Sequence, residues 1–273
     1  MNAGQILLAV LVVTILAGVA GIWAFQRHAI YRFDSTPQTP AEAGVPEAEV
    51  VAYRSEDGAT VHAWVLPPRP GRPVILAFHG NSARIGPSFR RLVPLTDDGT
   101  GLVMMEYRGS GATAGRPSEA AFAHDARALY DQLDTLLGQP VPAGRRVLEG
   151  FSLGAGVGSR LAAERPFAAV ILEAAPLRSC LYYQDRWFGI PFCRLLWSER
   201  YDIVDHLARI TAPKLLVHGE RDAVLPLWHL RRLAEAAPDP TEVVVLPGGG
   251  HADLDRHGLV PAIRDFLTRR LGP

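Results

Sequence analysis

The 273-residue sequence holds only two cysteines, Cys180 and Cys193. Two are too few for a disulfide framework, and neither belongs to a metal-binding spacing. Cysteine is among the most buried residue types, so the pair is read as buried free thiols, with pairing in an oxidising compartment as the alternative. An excess of charge of either sign is also missing: 28 Lys plus Arg balance 28 Asp plus Glu. A nucleic-acid binder would show a basic excess, so no nucleic-acid partner is expected. With 48% hydrophobic residues, the composition is not that of a disordered chain. The sequence contains no H-E-x-x-H, no Walker A motif and no G-x-G-x-x-G after a strand. Gly109-Ser-Gly111 lacks the third glycine. No metal and no cofactor are expected, and no internal repeat or low-complexity segment is found.

One long uncharged run stands out, from Ile6 to Phe25. As a helix it would be about 30 Å long, the thickness of a bilayer's hydrocarbon core. Trp23 and Tyr31 suit the membrane interface, and Arg27 and Arg32 suit the headgroups. Residues 1–28 are therefore read as a retained transmembrane anchor whose partner is the lipid bilayer. The alternatives are a signal peptide cleaved near Ala20, which would leave a secreted or periplasmic protein, and a buried core helix. The first five residues lack Lys and Arg, and the apolar run is long for a signal peptide. The arginines after the run favour a cytoplasmic catalytic domain by the positive-inside rule. Residues 29–48, with Pro37 and Pro40, read as a linker lifting the domain off the membrane.

Beyond the linker, Glu49–Arg54 and Thr60–Leu66 alternate around a Ser55-Glu-Asp-Gly58 turn, the pattern of an antiparallel hairpin. Apolar runs then alternate with helical segments. The runs are Val74–Phe78, Leu102–Glu106, Val147–Glu149, Ala169–Leu172, Lys214–Val217 and Val243–Leu246. Helices are predicted at Ser118–Leu137, Leu153–Glu164, Leu227–Ala236 and Asp255–Leu271. Such alternation indicates a mostly parallel sheet covered by helices on both faces. Residues 49–273 form one α/β domain in this reading.

Gly150-Phe-Ser152-Leu-Gly154 falls where the fifth strand meets a helix. Glycines two positions either side of Ser152 allow a sharp turn that exposes the hydroxyl. Together with Phe78-His-Gly-Asn81, Glu106-Tyr-Arg-Gly-Ser-Gly111, Gly115-Arg-Pro-Ser-Glu119, His218-Gly-Glu-Arg-Asp222 and Gly249-Gly-His251, the chain resembles the α/β-hydrolase superfamily. Its motifs look most like the serine-hydrolase branch, which includes membrane-associated acyl-protein thioesterases, monoacylglycerol lipases and S9/S33-like peptidases. The resemblance runs from about Glu49 to the C-terminus. It implies an eight-stranded, mostly parallel sheet with a small cap inserted after the sixth strand, here residues 176–200. Serine at the turn rules out the carboxylate chemistry of dehalogenases and epoxide hydrolases.

A serine hydroxyl needs a base to activate it, and that base needs an acid to orient it. The resemblance implies the order Ser, acid, His, with each residue on a loop after a strand. Ser152 is then the nucleophile, Asp222 the acid and His251 the base, with Glu173 and His257 as the runner-up acid and base. The oxyanion is expected to be held by the backbone N–H groups of Asn81 and Leu153. His79 is read as a structural histidine that orders the oxyanion loop.

The cap sequence contains Leu181, Tyr182, Tyr183, Trp187, Phe188, Ile190, Phe192, Leu195, Leu196 and Trp197. These suit an apolar wall for acyl groups, although they could equally pack the cap onto the sheet. The expected function is a membrane-anchored serine hydrolase of carboxylic esters or thioesters. The alternatives are a peptidase with the same triad and a non-catalytic scaffold. A peptidase would call for acids that hold a free amino terminus, for which Glu199, Asp202 and Asp205 are candidates.

Overall fold

The apolar runs pair edge to edge because, in strands buried on both faces, the backbone groups must satisfy one another. The computed structural model describes residues 2–81, 84–186, 191–196 and 198–272. Its strands are β1 (Glu49–Arg54), β2 (Thr60–Leu66), β3 (Val74–Phe78), β4 (Gly101–Met105), β5 (Arg146–Phe151), β6 (Ala169–Glu173), β7 (Lys214–Gly219) and β8 (Thr241–Leu246). They form one eight-stranded sheet in the order β1-β2-β4-β3-β5-β6-β7-β8. β1 and β2 pair antiparallel, β2 pairs antiparallel with β4, and every other pairing is parallel. This is the α/β-hydrolase architecture expected from the sequence.

Successive side chains along a strand point to opposite faces, and the core divides accordingly. Val74, Leu76 and Phe78 of β3 join one cluster, with Leu148, Leu172 and Leu216. Helices α3 (Glu119–Asp131), α5 (Leu153–Glu164), α8 (Ile203–Leu207) and α9 (Trp228–Ala236) cover that face. Ile75 and Ala77 join the opposite cluster, beneath α2 (Ile85–Leu92) and α10 (Leu259–Leu271). The cap carries α6 (Ser179–Arg186) and α7 (Phe192–Leu195).

Helix α1 (Ala3–Ile30) is long and apolar enough to cross a membrane over Ala3–Gly21, and none of that span is buried against the domain. The side chain of Trp23 lies outside the described residues. Tyr31 does not occupy a membrane interface. It is buried in the core, its ring edge-on to Phe122, with its hydroxyl against Glu199 and Tyr201. Nor do residues 29–48 form a free linker. Ile30 and Tyr31 pack into the core on one face of the sheet, and Ala43, Val45 and Ala48 into the core on the other. The segment straps both faces because its apolar residues are spaced to reach each of them.

Several details differ from the sequence reading. Helix α2 was not expected, because Gly86-Pro87 masks the apolar spacing of Ile85, Phe89 and Leu92. Proline in a first turn needs no helical donor, so the helix forms regardless. The helix expected over 118–137 is broken at Gln132, whose backbone leaves the helical region, with α4 (Leu133–Leu137) following. A 3-10 turn over Leu254–His257 replaces the start of the expected last helix, and Gly258 at φ 99° separates it from α10. Cys180 and Cys193 are not free thiols. The packing of α6 beside α7 brings their Cα atoms to 4.9 Å and the two form a disulfide.

Candidate active site

Ser152 sits between β5 and α5 at φ 52°, ψ −110°. A non-glycine residue pays of order 1–3 kcal/mol for such a conformation. Its backbone N–H donates to the Glu173 carbonyl at 2.9 Å, which fixes the turn against β6. The flanking glycines serve close approach, since neither has a positive φ. A Cβ on Gly154 would stand 1.8 Å from the Phe78 carbonyl oxygen, and one on Gly150 would stand 2.8 Å from Ala155 Cα. The turn is therefore tight because α5 starts directly against β3.

Asp222 follows β7, and its side chain is fully buried. Its Oδ1 accepts the backbone N–H groups of Val224 at 2.8 Å and Leu225 at 2.7 Å. Its Oδ2 lies 2.8 Å from His251 Nδ1 and 3.3 Å from His218 Nε2. Burial alone would raise the Asp222 pKa, but the hydrogen bonds from His218 and His251 outweigh it and hold the carboxyl well below the usual range. His251 follows β8 on the Gly248-Gly-Gly250 turn, with Nε2 3.1 Å from Ser152 Oγ. With its Nδ1–H donated to the carboxylate, Nε2 is free to accept the serine proton. Ser152, Asp222 and His251 thus come together in one hydrogen-bonded chain.

The runners-up lie elsewhere. Glu173 takes Arg91, whose Nη1 stands 2.8 Å from Oε1. His257 Nδ1 donates to the Pro247 carbonyl at 3.1 Å. His79 is buried, its Nδ1 donating to the Gly80 carbonyl at 2.9 Å, and burial pulls its pKa down to about 4. It packs against Tyr107, whose hydroxyl donates to the His79 carbonyl at 2.9 Å.

Asn81 and Leu153 line the same cavity as Ser152 and His251, a space of about 230 Å³. The Asn81 side chain donates from Nδ2 to the carbonyl of Ile30 at 2.5 Å. Tyr182 and Tyr183 of the cap form part of the cavity wall. Leu181, Phe192 and Leu195 are half-buried and Leu196 is buried, while Trp187, Phe188, Ile190 and Trp197 lie outside the described residues. The three acids considered for an amino-terminus site are occupied. Glu199 receives Arg27, Tyr31 and the Glu119 N–H, and Asp202 and Asp205 both pair with Arg178.

No family model matches the chain. An uncharacterized protein of Mycobacterium tuberculosis, Rv2307c, is 35% identical over 268 residues, covering 94% of each chain. The α/β hydrolase domain-containing protein WAV2 of Arabidopsis thaliana is 28% identical over 265 residues, covering 88% of this chain and 85% of that one. The chain belongs to the α/β-hydrolase superfamily. Among solved structures, the Pyrococcus furiosus esterase Pf2001 superposes with a TM-score of 0.69 at 17% identity, covering 89% of this chain and 97% of that one. A Pyrococcus horikoshii acylaminoacyl peptidase gives 0.66 at 20% identity, covering 83% of this chain and 42% of that one.

Three residues of this α/β-hydrolase site escaped the sequence reading. His218, the last residue but one of β7, points Nε2 at both Asp222 and the Leu225 carbonyl, the latter at 2.7 Å. Its position four residues before the acid was the available signal. Arg91 of α2 supports the turn from below through Glu173, with its guanidinium 4.8 Å from the centre of the Phe151 ring. Ile30, the last residue of α1, forms part of the cavity wall. No spacing in the sequence points to it.

Proposed function

We propose that the protein is a serine hydrolase of carboxylic acyl esters or thioesters, anchored in a membrane by α1. The observation that carries this reading is the continuous path from Asp222 Oδ2 through both His251 nitrogens to Ser152 Oγ, at 2.8 and 3.1 Å. Ser152 Oγ attacks the carbonyl carbon while His251 Nε2 takes its proton, and Asp222 stabilises the imidazolium. Backbone N–H groups of Asn81 and Leu153 receive the oxyanion. The tetrahedral intermediate collapses as His251 returns the proton to the departing alcohol or thiol. Water, activated by the same histidine, then hydrolyses the acyl-enzyme and releases the acid.

The esterase similarity and the two cap tyrosines favour acyl substrates. The prior pairing of Glu199, Asp202 and Asp205 counts against an aminopeptidase, despite the peptidase similarity. The disulfide favours an oxidising compartment, with the catalytic domain outside the cytoplasm. This reading departs from the cytoplasmic domain that the arginines after the apolar run suggest.

A fluorophosphonate probe tests the chemistry. It should label the wild-type chain and spare Ser152→Ala, and only the wild type should release p-nitrophenol from acyl esters. Folded wild-type protein that takes no label and turns over no ester would refute the reading. Faster turnover of aminoacyl-anilides than of acyl esters or thioesters would favour the peptidase.

A further inference from the structure

Helix α1 does not end where the apolar run ends. It continues unbroken from Ala3 to Ile30, and the next residue, Tyr31, is already buried in the domain. The junction is clamped from three sides. Arg27 Nε lies 3.1 Å from Glu199, the Tyr31 hydroxyl meets the same carboxylate and Tyr201, and the Ile30 carbonyl accepts from Asn81. α7 of the cap packs against the same helix. One continuous helix thus runs from the exposed apolar span into the domain.

That continuity sets the height of the cavity. Ile30 lies five positions past Phe25, the end of the apolar run. At about 1.5 Å per residue it stands about 7.5 Å beyond the hydrocarbon edge, and the headgroup layer on each side is about 5–7 Å thick. Ile30 shares the cavity with Ser152 and His251. At about 230 Å³ that cavity is smaller than the roughly 300–1,000 Å³ that encloses a drug-sized ligand. It can hold a reacting ester and the first part of a chain.

The geometry points to a lipid-type acyl ester resident in the bilayer as the substrate, presented at headgroup depth to a cavity walled in part by the end of the membrane helix. This inference rests on the hydrolase reading above and adds where the substrate comes from. The helix sets the height, Ile30 shapes the entry, and the acyl tail stays in the leaflet while its ester reaches Ser152. Asn81 ties the helix end to the candidate oxyanion loop, so the two are held in one register.

The test uses the full chain in phosphatidylcholine vesicles and two esters with the same leaving group, water-soluble p-nitrophenyl butyrate and bilayer-resident p-nitrophenyl palmitate. Seven polar helix-forming residues inserted between Phe25 and Gln26 lift the domain by about 10.5 Å and turn it by only about 20°. Palmitate turnover should fall at least about tenfold while butyrate turnover stays within about twofold. No loss on either ester, or an equal loss on both, overturns the inference. Ile30→Trp supplies a second reading that leaves the clamp backbone in place. The palmitate-to-butyrate ratio of kcat/KM should drop about tenfold, and an unchanged ratio also overturns the inference. Wild-type protein that takes no fluorophosphonate and cleaves neither ester would instead remove the hydrolase reading itself.

Discussion

At Asp222 the two carboxylate oxygens have separate tasks. Oδ1 is held by two backbone N–H groups of its own loop, and Oδ2 is left for His251 and His218. Asp222→Asn tests whether the charge or only the shape matters. The amide oxygen can keep both loop hydrogen bonds, so the fold should survive. The amide nitrogen then faces His251 Nδ1, which must accept instead of donate, and the remaining ring proton moves to Nε2 opposite Ser152. A base carrying a proton cannot take one, so kcat should fall about 10⁴-fold in protein that stays folded at the assay temperature. A loss of less than about tenfold, measured on p-nitrophenyl esters, would mean that Asp222 is not the orienting acid. The same loop explains why this residue was legible in sequence. An acid after a buried strand, followed by a histidine after the next strand, is a local pattern. His218 was not legible because its partner is set by how far β7 extends. The expected strand stopped at Val217, and the real one ends at Gly219.

Elements were read best where a single periodicity governed them. The hairpin strands β1 and β2, the buried strand β3 and the helix α5 fall at the expected boundaries. The misses are places where tertiary contacts decide. Gly86-Pro87 disguised α2, and the strap over residues 29–48 looked like a linker because its anchors Ile30, Tyr31, Ala43 and Val45 serve opposite faces of the sheet. The cap shows the same limit, since cysteines 13 positions apart carry no sign of pairing until two short helices place them side by side. Closing a loop of this length restrains the unfolded chain by about 3 kcal/mol. Cys180→Ser should therefore lower the melting temperature of the oxidised protein and leave that of the reduced protein nearly unchanged. In intact cells, a membrane-impermeant maleimide should label the wild type only after reduction. Labelling without reductant would mean that the pair is open. No labelling in intact cells after reduction, with labelling after lysis, would place the domain inside the cytoplasm.

Across the whole molecule, burial of histidine makes stability depend on pH. His79, His206 and His229 sit in the core on one side of the sheet or at its edge, and burial lowers each pKa to about 4. At His229 the contact itself requires the neutral ring, and at His79 and His206 burial favours it. His229 Nδ1 accepts the Leu177 N–H at 3.1 Å, His206 Nδ1 meets Ser159 Oγ at 3.1 Å, and His79 Nε2 has no hydrogen-bond partner among the described residues. In the unfolded chain a histidine titrates near 6.5. Between about pH 6.5 and 4 the unfolded state therefore binds protons that the folded state refuses, and stability is lost as pH falls through that window. From pH 7 to 5 each such group contributes a loss of about 2 kcal/mol. Glu149 works in the opposite direction. Burial pushes its carboxyl well above the usual range, and neighbouring Glu173 adds to the rise against the pull of Arg91. Folded Glu149 holds a proton that the unfolded chain gives up, so its share of stability fades as pH rises through its folded pKa. Asp222 loses its contribution only below the unfolded carboxylate value of about 3.9, outside the window. The net slope is thus a contest, and a difference between two proteins isolates the histidine. His229→Asn keeps an acceptor for the Leu177 N–H and removes one titrating group. Urea unfolding at several pH values between 5 and 6.5 should show a stability slope shallower than wild type by up to about 1.4 kcal/mol per pH unit. Parallel slopes for the two proteins would show that His229 is protonated in the fold, and the neutral-ring reading of its contact with Leu177 would have to be given up.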